Sequence, residues 1–333
     1  MAASRFDEAT PETRSQPEQG GNLDDMFRPT QRNAAILLLL TAAALLTCLP
    51  SAAAAAGNDW MAAIDDATPL WKLSIPGSHD ACALFEPLAS TAKCQNLKLG
   101  DQLNIGVRFL DIRCCKKGSR FWIYHGGVDQ RISFSEVIAT IKNFLRLNPK
   151  ETVIMSVKEE NSQSGDAFHT LFDSYVAENP GVFYLGSAVP TLGTVRGKIV
   201  LLRRFNGTGG IDASDWPDNT IFARGAIDVE DYYNVPNARA KWDAVVKHLD
   251  AAASSDSSKL FITFTSGFVT RQFGIPNIAA VSNSVNRSLS QYFSAARPGR
   301  YGIVIINYVD APICAQIIAA NAVGAAHAGG AAH

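Results

Sequence analysis

Charge of one sign is what this sequence most plainly lacks. Its 30 Lys and Arg nearly balance 31 Asp and Glu, and the formal net charge is -1 over 333 residues. No global field therefore draws the chain to nucleic acid or to an anionic membrane, and preference for an anionic ligand must come from local groups. Cysteine is sparse at 6 residues and no CxxC pair occurs, so nothing supports a structural zinc site. Histidine is equally sparse at 6 residues, which makes each one worth placing. No internal repeat and no low-complexity linker divides the chain between Gly57 and the tail. The one strongly apolar run, 34–46, is short for a membrane span of ~20 residues.

What is present is 47% hydrophobic and 18% charged, enough apolar material for a sizeable core in one large domain or two smaller ones. Residues 1–30 are polar, carry Pro11, Pro17, Gly20 and Gly21, and show no apolar period, so disorder is expected there. Arg28 and Arg32 precede the apolar run, and Pro50-Ser51-Ala52 with an alanine run follows up to Gly57. A positive flank, an apolar centre and a small-residue end describe a secretory signal, here with a long leading region. The expected organisation is a disordered N-terminus with a signal over 1–56, a single folded domain over 57–321 and a disordered tail over 322–333, the protein being secreted. A single-pass anchor is the less favoured alternative. So is a lipid anchor at Cys48, where Leu45-Leu46-Thr47-Cys48 resembles a lipoprotein signal except for its Thr. Loss of Cys48 with the leader leaves Cys82, Cys94, Cys114, Cys115 and Cys314, an odd number that cannot all pair within the chain. Cys82 and Cys94 could close a short loop in an oxidising compartment, whereas the adjacent Cys114 and Cys115 read as buried thiols.

Short β-rich runs recur at 71–75, 107–112, 121–124, 152–157, 198–205, 260–265 and 301–309. Several are continuously apolar, as strands buried on both faces are. Helical patterns lie between many of them. In 134–147, Phe134, Val137, Ile138, Ile141, Phe144 and Leu145 fall on one face, Ser133 and Glu136 form a capping box, and Asn148-Pro149 ends the helix. Further helices are expected over 166–178, 236–253, 275–293 and 312–323. Strand–helix alternation implies an α/β fold with a mostly parallel sheet. A closed barrel is favoured over an open sheet. His79, Arg113, His125, Lys158, Arg204 and Asn307 each lie at or near the C-terminal end of a different strand, and a (β/α) barrel gathers those ends into one mouth.

The chain is organised around Ser74-Ile75-Pro76-Gly77-Ser78-His79-Asp80. Pro76-Gly77 is expected to stop a strand and turn the chain, leaving His79 and Asp80 where loops carry chemistry. His125 ends a second apolar run and is followed by Gly126-Gly127; Phe109-Leu110-Asp111-Ile112-Arg113 lies between. His327 and His333 fall in the tail, and His169 and His248 fall within helices as partly exposed structural residues. A lone histidine is usually structural, but two at strand ends beside glycine point to acid–base work, since imidazole titrates near pH ~6.5. Arg113 offers a planar fork matched to phosphate, and Asp111, two residues back, shares its strand face. Lys158 and Arg203-Arg204 would be solvated charges taken alone; their value is that they point to the same mouth. Asp80, Asp111, Glu159 and Glu160 could hold Ca²⁺ through oxygen, but Arg113 and Lys158 bring positive charge that can stand in for the ion. A metal-independent site on a phosphate ester is therefore expected.

These residues resemble a known family. Ser-Ile-Pro-Gly-Ser-His-Asp at 74–80, Gly106-Val107-Arg108-Phe109-Leu110-Asp111-Ile112-Arg113 and His125-Gly126 are similar to the X domain of phosphatidylinositol-specific phospholipase C, and most similar to its secreted bacterial, metal-independent members. The likeness continues through 148–158 and 197–205, Trp216-Pro217-Asp218-Asn219 and Val229-Glu230-Asp231-Tyr232-Tyr233, and covers roughly 59–321. It implies a distorted (β/α) TIM-type barrel, no cofactor and no metal. It also implies a two-stage reaction. His79 as general base takes the proton of the inositol 2-hydroxyl, which attacks phosphorus; His125 as general acid protonates the departing diacylglycerol oxygen. Arg113 stabilises the phosphate oxygens. Asp80 lies near the attacking hydroxyl and Asp111 beside the pair, while Lys158, Arg204, Asp231 and Tyr233 match inositol-binding positions. One departure stands out. The family carries an aspartate near the last strand that orients the base, and this chain has Asn307, which can accept a hydrogen bond but supplies no charge. Asp310, three residues on, is a candidate to supply it.

The expected activity is thus cleavage of phosphatidylinositol, and of glycosylated inositol lipids that share the reacting unit, by a monomer docked peripherally on membranes. A barrel phosphodiesterase for another phospholipid headgroup, which would need a divalent metal, and a catalytically weak lipid-binding homologue are the alternatives. Phe85, Leu88, Phe268 and Phe273 are candidates for membrane docking, unless they pack inside.

Overall fold

Apolar runs that alternate with amphipathic helices leave the chain little choice but to bury a parallel sheet beneath a helical layer. In chain order the strands are β1 (Ser74–Ser78), β2 (Phe109–Lys117), β3 (Arg120–His125), β4 (Val128–Ser133), β5 (Val153–Glu159), β6 (Phe183–Tyr184), β7 (Ile199–Arg204), β8 (Ile211–Asp212), β9 (Ile221–Arg224), β10 (Ile227–Glu230), β11 (Leu260–Phe264), β12 (Val269–Thr270), β13 (Pro276–Asn277) and β14 (Gly302–Ile306). The helices are α1 (Leu99–Asn104), α2 (Phe134–Leu147), α3 (Asp166–Glu178), α4 (Leu192–Val195), α5 (Ala238–Ser254), α6 (Ile278–Ala295) and α7 (Ala311–Ala319). The structure, a computed structural model, describes residues 57–321. The expected leader with Cys48, and the Ala-Gly-His tail, lie outside the described residues.

The main sheet has the order β6-β7-β5-β2-β1-β14-β11-β10-β9. Every ladder from β6 to β10 is parallel, and β9 lies antiparallel on β10. The sheet curls into the distorted (β/α) barrel expected, in a single domain. Among the described strands no ladder joins the β7–β8 edge to the β9–β10 edge, so a seam stays open there.

Period-two alternation sorts the strand residues. Ile75, Phe109, Ile154, Val200, Ile303, Ile305 and Phe264 turn inward and form the barrel interior. Leu110, Ile112, Val153, Met155, Val157, Ile199, Leu201, Val304 and Ile306 turn outward against Phe134, Val137, Ile138 and Ile141 of α2 and Val245 of α5. Glycine at position 77 makes room on the inner face, because a Cβ there would stand 3.1 Å from Ile305 and 3.2 Å from Phe109. Helix α2 starts and ends as its pattern requires, with the reciprocal Ser133–Glu136 capping box formed.

Four sequence-based expectations change. The strand expected over 71–75 is displaced: Leu70–Lys72 is a 3-10 turn, and β1 runs through Pro76-Gly77 instead of stopping there. Pro76 is tolerated because its carbonyl accepts from the Arg108 N–H at 2.9 Å, so its missing donor faces β2 before the β1–β2 ladder begins at Gly77–Phe109. The run ending at His125 is not a barrel strand. It is the middle of an antiparallel extension, β2–β3–β4, built beyond the mouth. Cys82 and Cys94 close no loop, since all five described cysteines are free and buried. His248 is buried rather than partly exposed, because Thr263 and Asp228 engage its two nitrogens.

The closed end of the barrel is tied by Arg108, which is fully buried. Its Nε donates to Glu151 at 2.7 Å, and its remaining nitrogens reach the carbonyls of Leu103, Val107, Gly57 and Asn58. A buried cation stripped of its counter-charge is strongly destabilising. Glu151→Ala is expected to lower the unfolding free energy by about 3–5 kcal/mol, read from the denaturation midpoint. An unchanged midpoint would show that Arg108 needs no partner.

Candidate active site

At the open end of the barrel the same inward parity carries polar residues. His79 follows β1, Asp111 and Arg113 lie on β2, Lys158 on β5, Arg204 ends β7, Asp231 follows β10 and Asn307 follows β14. Arg113, Lys158 and Arg204 are direct neighbours in register across three strands. Strand β3 doubles back from the tip of β2, pairing Ile123 with Cys114, so that His125 comes down beside Arg113.

The chain turns after His79 at Asp80, whose φ of 40° is left-handed. Such a conformation costs about 1–3 kcal/mol in a residue with a side chain. Tyr308, just after Asn307, is also left-handed at φ 53°. The two bends are held together by Gln95, whose Nε2 donates to the His79 and Ile306 carbonyls at 2.8 Å each and whose Oε1 accepts from the Val309 N–H at 3.1 Å.

The geometry is close. Asp80 Oδ2 lies 3.3 Å from His79 Nε2 and 3.5 Å from His125 Nε2, between two imidazoles whose centroids are 6.1 Å apart. His79 Nδ1 meets Asn307 Oδ1 at 2.8 Å, and the Asn307 amide nitrogen donates to Ser282 at 2.9 Å. The amide oxygen thereby accepts from Nδ1–H and leaves the Nε2 lone pair facing the mouth, where Arg113 Nη2 stands 3.0 Å away. His125 Nδ1 donates to the Ala92 carbonyl at 2.7 Å, which presents its Nε2 to Asp80. Arg113 is gripped by Asp111 Oδ2 at 3.1 Å, Asp80 Oδ1 at 3.2 Å and Glu160 at 4.0 Å. The guanidinium thus occupies the centre of the acidic cluster.

Electrostatics follow from this burial. Desolvation, helped by Arg113, holds the His79 pKa well below its ordinary 6.5, so the ring stays neutral. Burial pushes Asp80 up to about 6 despite Arg113 and His125. Burial alone would raise Asp111 too, but Arg113, Arg204 and His79 outweigh it and hold that carboxyl well down. Desolvation would likewise weaken Arg113, yet Asp111 and Asp80 overcome it and hold its proton firmly.

Arg204 packs its guanidinium 3.9 Å above the Trp216 ring and reaches Asp111 at 3.6 Å and Asp231 at 3.9 Å. Trp216 Nε1 donates to Asp231 at 3.0 Å, so these side chains bridge the seam the backbone leaves open. Lys158 pairs with Glu160 at 2.9 Å. Tyr233 donates its hydroxyl to Asp218 at 2.8 Å. Buried Asp80 Oδ2, Asp111 Oδ1 and Arg204 Nε and Nη1 have no hydrogen-bond partner within the protein. Orphaned polar atoms converging on one mouth mark where a polar ligand belongs.

The structure therefore brings together His79, His125, Arg113, Asp80, Asp111, Asn307, Lys158, Arg204 and Asp231, with Tyr233 at the rim. Three residues fall elsewhere. Glu159 points away to Ser162 and Ser164, and Asp310 caps α7 through the Ile313 N–H instead of supplying charge to His79. Arg203 faces outward to Asp212. Gln95 and Ser282 were missed as supports of the site, and Glu160, considered only as an oxygen ligand for Ca²⁺, instead pairs with Lys158 two residues before it. A Ser inside a helix and a Gln inside a loop carry no sequence signal. Of the docking candidates, Phe273 is 96% and Leu88 54% exposed, while Phe268 packs on Tyr233 and Phe85 lies under Arg131.

Comparison with known proteins finds chains of similar sequence and fold. Residues 67–205 match the phosphatidylinositol-specific phospholipase C X domain. The chain is 32% identical over 280 residues to the 1-phosphatidylinositol phosphodiesterase of Listeria monocytogenes, covering 79% of this chain and 84% of that protein. It is 31% identical to the enzyme of the same name from Staphylococcus aureus, covering 75% and 88%. A crystal structure of phosphatidylinositol-specific phospholipase C from Staphylococcus aureus superposes with a TM-score of 0.72 at 28% identity, covering 81% of this chain and 99% of that one. The Listeria monocytogenes structure gives 0.66 at 29% identity, covering 80% and 98%.

A carboxylate in place of the Asn307 amide would add a negative charge at Nδ1 that stabilises the His79 imidazolium further. Asn307→Asp is therefore expected to raise the His79 pKa, read by NMR titration of the ring protons. An unmoved titration would mean that desolvation and Arg113 alone set the value.

Proposed function

Since the chain belongs to the phosphatidylinositol-specific phospholipase C X-domain family, we propose that it cleaves phosphatidylinositol to diacylglycerol and inositol 1,2-cyclic phosphate without a metal ion. The observation that carries this reading is the row His79, Asp80, His125 with Arg113 alongside. A neutral imidazole is needed as base, and burial keeps His79 neutral. Asn307 fixes its tautomer so that Nε2 receives the proton of the inositol 2-hydroxyl. Asp80, between the two rings, stabilises the imidazolium formed at His79 and the one required at His125. His125 Nε2 then delivers its proton to the diacylglycerol oxygen as the phosphorus–oxygen bond breaks, and the new bond to the 2-oxygen closes the cyclic phosphate. Arg113 supports the charge that develops on the phosphate oxygens, already oriented by its carboxylates. Lys158, Arg204 and Asp231, with Tyr233 at the rim, take the inositol hydroxyls. Slow opening of the cyclic phosphate by water would use the same two rings in reverse.

Glycosylated inositol lipids share the reacting unit and are candidate substrates. Peripheral docking would use Phe273 and Leu88, the two exposed apolar side chains among the four expected. A solved structure of the Staphylococcus aureus relative concerns its membrane binding. Among the described residues no helix is long and apolar enough to cross a membrane. Export through the signal expected in 1–56, and action as a monomer, belong to the same proposal.

Purified protein given phosphatidylinositol vesicles is expected to release a cyclic phosphate, followed by phosphorus NMR, equally with and without a chelator. Product that needs added calcium would overturn the role of Arg113, and no product would favour another headgroup or a binding-only homologue. His79→Ala and His125→Ala should each lower kcat by about 10²–10⁴-fold, and Arg113→Ala by about 10²–10³-fold. The acid limb of the rate profile should lie below pH 6.5, because the base stays neutral until its lowered pKa is reached.

A further inference from the structure

Cys94 is a side chain with a metal-binding sulfur at the mouth that the proposed reaction leaves unused. It is fully buried, and its Sγ lies 3.7 Å from His125 Nδ1. A nitrogen of His79, an oxygen of Asp80 and this sulfur all lie within 4.8 Å of one another. His79 Nδ1 is engaged with Asn307, which leaves Nε2, now faced by Arg113 Nη2 at 3.0 Å, as the donor an ion takes by displacing that guanidinium. Asp80 is only 3% exposed, and its Oδ2, which points at His79 Nε2, has no hydrogen-bond partner in the protein.

We propose that His79, Asp80 and Cys94 bind a thiophilic divalent cation, Zn²⁺ foremost, and that the bound ion switches the site off. One nitrogen, one oxygen and one sulfur are the ligand types zinc takes, and three protein ligands leave a fourth position for water. Sulfur discriminates against hard ions, and Ca²⁺, which needs six or more oxygens, is poorly served here. Binding releases the Cys94 proton to solvent. The ion, the thiolate and the Asp80 carboxylate then sum to zero charge, so Arg113, 3.0 Å from His79 Nε2, meets no second net positive charge. A metal on Nε2 occupies the lone pair that would take the hydroxyl proton, and turnover stops. The effect on turnover rests on the lyase reading above; the binding itself does not.

Co²⁺ is the probe, since a thiolate bound to cobalt absorbs strongly in the near ultraviolet. Titration of the full chain with Co²⁺ in thiol-free buffer should give that band, and Zn²⁺ should abolish it by displacement. The band should vanish in Cys94→Ser and in Cys94→Ala, the second serving if the first fails to fold, and persist in Cys115→Ser. In parallel, Zn²⁺ should inhibit phosphatidylinositol cleavage reversibly by chelator. Measured against its own metal-free rate, Cys94→Ser should need about tenfold more Zn²⁺ or beyond, a first ligand being worth at least what a supporting residue is. No sulfur band in the wild type, or the same band or the same inhibition without Cys94, overturns the proposal. A cobalt band in a chain with no turnover would support the site and refute the lyase reading, so the two fail separately.

Discussion

Arg113 sits in a cage of Asp80, Asp111 and Glu160, and the mouth of the barrel is built around that contact. A guanidinium in so buried a place needs counter-charge, and the carboxylates need it in turn. Remove the arginine and several acids would repel one another at a point shielded from water. Their mutual grip fixes Asp80 between the imidazoles, draws Glu160 against both Lys158 and the Gly126 N–H, and keeps Asp111 ionised beside Arg204. The site is thus pre-assembled around a fixed positive charge, which is where a phosphodiester would place its own negative charge. The strain at Asp80 is sustained by the same contacts.

A charged layer of this kind must rest on something rigid. The inward-facing Phe109, Ile154, Val200, Ile305 and Phe264 supply a packed apolar floor, and the alternation that places them inward also places Asp111, Ser156, Leu202 and Asn307 one layer higher. Only the seam between β7–β8 and β9–β10 lacks backbone pairing among the described strands. Arg204, Trp216 and Asp231 close it with side chains, so residues expected to bind inositol also complete the wall.

Much of this was legible from the residues. Helix α2 coincides with its pattern because a full apolar face and clear ends leave no competing solution, and α3 coincides with its expected span as well. The convergence of His79, Arg113, Lys158, Arg204 and Asn307 followed from strand ends in a parallel sheet. His125 was placed in the right site for the wrong reason, since hairpin pairing, not barrel position, delivers it. Pro76-Gly77 misled because a break signal is local, whereas Pro76 lies just before the β1–β2 ladder begins and so removes no ladder hydrogen bond. Strand β10, four residues long, carries too little pattern to be seen, although Asp231 depends on it. The orientation of the Asn307 amide is set by Ser282 from a helix, a pairing across sequence that no local pattern encodes.

Arg108 at the opposite pole has a different bearing. Two of the carbonyls that hold its guanidinium belong to Gly57 and Asn58, the first residues described. A Cβ on Gly57 would come within 2.3 Å of the Asn104 carbonyl, so that residue is moulded against the barrel base. A leader cleaved as proposed would therefore have to be cut before Gly57. A cut even two residues later would strip acceptors from a buried cation, and maturation of the chain would become a folding defect.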